Sequence, residues 1–150
     1  MRRSVQIGEE ESNMKKRISA GLVTIMMVLC LVGCGSNATP LAEVFVQEEL
    51  EQQTAQIVEW LNAEEYEKVY ETFREDMKEA LPVEELKAAC EETYGNAGAQ
   101  VQVSNIVVNG KRIEEEEYAT VMLKVEYEQQ IVTFQVGYDS NMEVVGLYMK

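Results

Sequence analysis

The sequence predicts an α+β domain in which three N-terminal helices pack on a curved four-stranded antiparallel sheet. Apolar residues recur at helical spacing from Leu41 to Cys90, and after Gly95-Asn96-Ala97-Gly98 the period changes to an alternation that persists to the C-terminus. Helices and strands segregated along the chain mark the α+β class rather than an alternating α/β sheet. Residues 34–150 suffice for one domain, 40–150, with a core of its own.

Thr39-Pro40 reads as an N-cap followed by proline at the first helical position. From there Leu41, Val44, Phe45, Leu50, Thr54, Ile57, Val58 and Leu61 give a first helix. Asn62 with Glu65 three residues later is a capping signal for a second, in which Tyr66, Val69, Tyr70, Phe73 and Met77 share one face. Pro82 at a first helical position, Glu84 and Glu85 in the first turn and Gly95 at the C-terminal cap bracket the third. Val83, Leu86, Ala89 and Cys90 lie on one side of it.

The first strand, Ala99 to Val108, slips phase at Ser104-Asn105, which predicts a bulge. Asn109-Gly110 and the acidic run Glu114 to Glu117 are expected in the turn that follows. The second strand places Val121, Leu123, Val125 and Tyr127 on one face, with Thr120, Met122, Lys124 and Glu126 on the other. Ile131 to Tyr138 is the third strand, Asp139-Ser140-Asn141 a turn, and Val144 to Met149 the fourth.

Ahead of this domain, Lys15, Lys16 and Arg17 precede an apolar run, Ile18 to Val32, which ends in Leu31-Val32-Gly33-Cys34. The run is short for a membrane span, which needs about 20 apolar residues. A cationic start, a short apolar stretch and a small residue before a cysteine resemble a bacterial lipoprotein signal, here residues 14–33. The resemblance implies cleavage before Cys34, which becomes the lipid-carrying N-terminus of a protein anchored outside the cytoplasm. Gly35 after the cysteine suits the outer face of a single-membrane Gram-positive cell. Residues 1–13 carry Glu9, Glu10 and Glu11, the wrong charge before a signal, so they are expected to be a mis-assigned extension with translation starting at Met14. After Cys34, residues 34–39 form a tether that spans at most about 17 Å.

Residues 34–150 hold 8 Lys and Arg against 24 Asp and Glu, a net charge near −16. Such a surface repels phosphate backbones, so nucleic acid is not an expected partner. Of three cysteines, Cys30 leaves with the signal and Cys34 takes lipid, so Cys90 has no intramolecular disulfide partner. Its neighbours Glu91 and Glu92 disfavour a thiolate, and a buried structural role is expected.

Several stretches carry a family resemblance: Tyr66-Glu67-Lys68-Val69, Phe73, Met77-Lys78-Glu79-Ala80-Leu81-Pro82, Leu86, Gly95 to Gly98, and Gly137-Tyr138-Asp139 with Val145-Gly146-Leu147. Together they resemble the domain of unknown function 3887 family over roughly Val46 to Met149. The resemblance implies a nuclear-transport-factor-2-like, or ketosteroid-isomerase-like, cone in which helices and a bent sheet enclose a pocket. No activity is implied. The family often has an aromatic residue where this chain has Cys90.

Histidine is absent, which removes the commonest general base and metal ligand. There is no glycine-rich phosphate loop, nucleophile elbow or paired-cysteine zinc motif, and neither a catalytic residue, a metal nor a cofactor is assigned. The Glu114 to Glu117 run lacks the alternating ligand spacing of a calcium loop. Trp60, Tyr66, Tyr70, Phe73, Tyr127 and Phe134 are the candidate pocket residues; the same side chains would equally serve as core. The expected function is a non-catalytic module binding a small apolar ligand or a protein partner. The alternatives are a small lyase or isomerase, which would need a buried carboxylate beside a tyrosine hydroxyl, and a structural interaction domain.

Overall fold

The computed structural model describes residues 39–150. The extension, the signal, Cys34 and the tether before Thr39 lie outside the described residues. Among the described residues four helices, rather than the expected three, precede a four-stranded antiparallel sheet in the order β1-β2-β3-β4.

Helix α1 (Gln47–Asn62) begins at Gln47 rather than at Pro40. Thr39 instead forms an antiparallel bridge with Gly110, whose N–H donates to the Thr39 carbonyl at 3.0 Å. The chain then turns, Phe45 N–H donating to the Ala42 carbonyl at 3.0 Å, before the helix starts. Leu50, Thr54, Ile57, Val58 and Leu61 form its buried stripe. Asn62 closes α1 rather than capping the next helix, and Glu64 takes a left-handed φ of 59°.

The expected second helix is two helices, α2 (Tyr66–Glu71) and α3 (Glu75–Ala80). Phe73 leaves the helical path to form a parallel bridge with Val144. Val144 N–H donates to the Thr72 carbonyl and Arg74 N–H to the Val144 carbonyl, both at 2.9 Å. Pairing with the sheet thus satisfies the backbone groups that helix continuation would have satisfied. Helix α4 (Val83–Tyr94) starts after Pro82 and ends at Gly95, burying Leu86 and Cys90.

Strand β1 (Gln100–Ile113) runs straight through Asn109-Gly110, where a turn was expected. The hairpin turns instead at Glu114-Glu115, with Glu114 at φ 57°, into β2 (Glu116–Tyr127). Gly110 is required inside the strand because a Cβ there would collide with the Pro40 carbonyl and come within 2.9 Å of Leu41 Cα. The expected slip appears as a register shift between Val103 and Asn105, and a second falls between Gln100 and Gln102. Strands β3 (Ile131–Tyr138) and β4 (Val144–Met149) complete the meander.

One face of the sheet supplies Val121, Leu123, Val125, Val132, Phe134 and Val136 to the core, which the α1 stripe, Val69, Phe73 and Leu86 complete. On the opposite face Thr120, Met122 and Lys124 remain unburied. Among the described residues no helix is long and apolar enough to cross a membrane.

Candidate functional site

The six candidate pocket residues separate into groups. Phe73 and Phe134 are fully buried, Tyr66 and Tyr127 nearly so, while Trp60 and Tyr70 are half-buried against the core. Tyr70 and Phe73 pair at 6.0 Å between ring centroids, with the Lys78 ammonium 6.0 Å from the Tyr70 ring. Tyr127 and Phe134 meet elsewhere, on either side of Tyr94. The Tyr94–Tyr127 rings stack at 5.7 Å, and Tyr94 meets Phe134 edge-on at 5.7 Å. Sequence reasoning missed Tyr94, although it lies four residues after Cys90 and eight after Leu86, on the stripe that α4 buries.

This aromatic end carries the most perturbed hydroxyls. Tyr127 Oη donates to Asn62 Oδ1 at 2.7 Å, and Asn62 Nδ2 donates to Gln100 Oε1 at 2.6 Å, so the end of α1 is laced to the start of β1. Burial pushes the Tyr127 phenol up to about 12. Burial, with the Cys90 thiol beside it and Tyr127 and Tyr66 nearby, pushes Tyr94 far above the ordinary phenol value. The Tyr94 hydroxyl is buried with only the weakly hydrogen-bonding Cys90 thiol beside it and no oxygen or nitrogen partner, an arrangement that usually costs about 1 to 3 kcal/mol. Cys90 Sγ lies 3.9 Å from Met149 Sδ, and burial raises its thiol, so it sits protonated within the core.

At the other end of the sheet Asp139 is the one buried carboxylate among the described residues. Its Oδ1 accepts from the backbone N–H groups of Asn141 at 2.9 Å and Glu143 at 3.1 Å, shaping the β3–β4 turn. Its Oδ2 faces Arg74 Nη1 at 3.4 Å. Arg74 Nε and Nη2 also donate to the two carboxylate oxygens of Asp76, at 2.8 and 2.7 Å; this pairing raises the guanidinium and lowers the Asp76 carboxyl. Arg74, Asp139, Glu115, Glu116, Glu117 and Glu143 border an open depression of about 470 Å³. A second of about 450 Å³ runs along Ile113 to Glu116 and Tyr118. None of the six candidate pocket residues borders either. No His, Cys, Asp and Glu group among the described residues is placed to hold a metal ion.

The chemistry available at these two ends differs. Asp139 is committed to its turn and to Arg74, and no described hydrogen bond joins a carboxylate to a buried tyrosine. At the aromatic end Tyr127 and Phe134 are packed into the core around the half-buried Tyr94, whose hydroxyl has only the Cys90 thiol beside it, with the amides of Asn62 and Gln100 at the rim.

The family described as "Protein of unknown function (DUF3887)" matches residues 54–147. No curated protein matches the chain. A protein from Ruminococcus gnavus ATCC 29149, solved by NMR, is similar with a TM-score of 0.65 and 22% identity, over 76% of this chain and 99% of that one. At that identity the likeness shows the fold alone.

Proposed function

Since the chain belongs to the DUF3887 family of proteins of unknown function, we propose that it is a membrane-anchored, extracytoplasmic module that binds an amphipathic ligand or a protein partner without converting it. The anchor is lipid on Cys34, after removal of residues 14–33 as a signal. The contact site is the aromatic end built by Tyr66, Tyr94 and Tyr127, in the cone-like arrangement that the nuclear-transport-factor-2-like resemblance implies. The Tyr94 hydroxyl carries this reading: a buried donor with only the Cys90 thiol beside it gains a stronger hydrogen bond when a polar ligand atom reaches it.

A lyase or isomerase would need a buried carboxylate aimed at a tyrosine hydroxyl. Asp139 is buried, but the turn amides and Arg74 occupy its oxygens. Binding is tested by titrating the protein with the neutral fluorescent probe 6-propionyl-2-(dimethylamino)naphthalene, whose carbonyl oxygen can accept from the Tyr94 hydroxyl. Saturable binding, weakened several-fold in Tyr94→Phe although its Tm does not fall, is the expected result. No saturable binding contradicts the small-ligand reading and leaves a protein partner or a structural domain with a filled interior.

A further inference from the structure

Strand β1 differs from every other element of this acidic protein. Gln100–Ile113 contains Lys111 and Arg112 and no carboxylate, whereas each other described helix or strand is neutral or net negative. Thr93 to Gly110 is free of charge altogether. It is also an edge strand that exposes apolar side chains, Val101 at 63% and Val103 at 47%.

Its outer edge is where the chain joins the domain, because Thr39 bridges Gly110 and glycine there lets residues 39–41 lie flat on the strand. A tether of about 17 Å therefore starts from the β1 edge itself. From Gly110 to Gln100 the edge runs on for roughly 30 Å.

We infer that the β1 edge, with Val101 and Val103, rests on the lipid surface to which the protein is anchored; this rests on Cys34 being acylated. An anionic bilayer repels the net-negative elements, and of the strands that are neutral or positive, β1, β3 and β4, β1 is the one beside which the tether begins, through the Thr39–Gly110 bridge. Two exposed valines hold a surface only weakly, but the tether makes the contact intramolecular, so weak contacts suffice for occupancy. Arg112 is already paired with Glu117 at 3.5 Å, and Glu114 and Glu115 form the turn with Glu116 just after it, so the hairpin tip itself is not the contact. A second copy is a poorer occupant. Bulges at Gln100/Gln102 and Val103/Asn105 break the regular edge that strand pairing needs, whereas a lipid surface requires no register.

The test uses the acylated protein in phosphatidylglycerol–phosphatidylethanolamine nanodiscs that carry a headgroup nitroxide lipid, read by methyl NMR. Attenuation at Val101 and Val103 should be several-fold greater than at Ala88 on α4 or Ile131 on β3. In Val101→Asp/Val103→Asp, with an unchanged Tm as the check on folding, attenuation at Ile106 and Val108 should fall. Uniform attenuation, or attenuation strongest at Ala88 or Ile131, overturns the inference. Dependence on having two proteins per disc also overturns it, in favour of a second copy. The mass of the N-terminal peptide separates the two claims: an acylated chain with β1 unattenuated loses only the docking, and an unacylated Cys34 loses both.

Discussion

Thr54 Oγ1 and Tyr138 Oη lie 2.7 Å apart, joining the middle of α1 to the end of β3 inside the core. Both residues are fully buried, so each hydroxyl depends on the other. Tyr138→Phe leaves Thr54 unpaired and should cost about 1 to 3 kcal/mol in chemical denaturation. Adding Thr54→Val should recover part of that loss. Strict additivity of the two substitutions would show that the hydroxyls do not interact.

Gly110→Ala should destabilise the domain by about 1 to 3 kcal/mol, because its Cβ would meet backbone atoms of Pro40 and Leu41 that cannot rotate away. Gly146→Ala is the control, since a Cβ there meets nothing within 4 Å. Equal melting temperatures for the two variants would mean that residues 39–41 are not held against β1.

Phe73→Ala should cost about 3 to 5 kcal/mol, the range for removing a buried aromatic ring. Phe73 is 1% exposed and also positions the bridge to Val144. A loss under about 1 kcal/mol would place the ring outside the core.

Alkaline pH should unfold the protein progressively. Tyr94, Tyr127 and Tyr138 all have phenols raised by burial, with Tyr127 pushed up to about 12. A phenol held neutral in the folded state binds more protons there than in the unfolded chain once pH exceeds about 10. Stability is therefore complete below about pH 10 and is lost as pH rises toward the folded-state values. Denaturant midpoints between pH 8 and 12 should show this fall, and Tyr127→Phe should lessen its slope. A flat profile would mean the rings are solvated.

Strand positions were legible in the sequence because period-two alternation reports burial directly: β3 and β4 fall where Ile131–Tyr138 and Val144–Met149 predict them. Helix boundaries were less so. The Tyr66 to Met77 stripe gives no sign of a break, because the break comes from Phe73 pairing with Val144, a partner remote in sequence. Thr39-Pro40 and Asn109-Gly110 each carry a strong local signal, for a helix start and a turn. Their mutual pairing overrides both. At the candidate site, Cys90 and Tyr127 could be read from their stripes. Tyr94 could have been, by continuing the α4 period to its last residue. The Asp139–Arg74 contact could not, since nothing in local spacing pairs residues from α3's approach and the β3–β4 turn.

Intact mass and fragmentation of the N-terminal peptide from protein isolated in its native membrane tests the tethered-module proposal most directly. The expected product begins at Cys34, with a diacylglyceryl group on its sulfur and Gly35 next. A mature chain that retains residues 14–33, or begins at an unmodified Cys34, would contradict it.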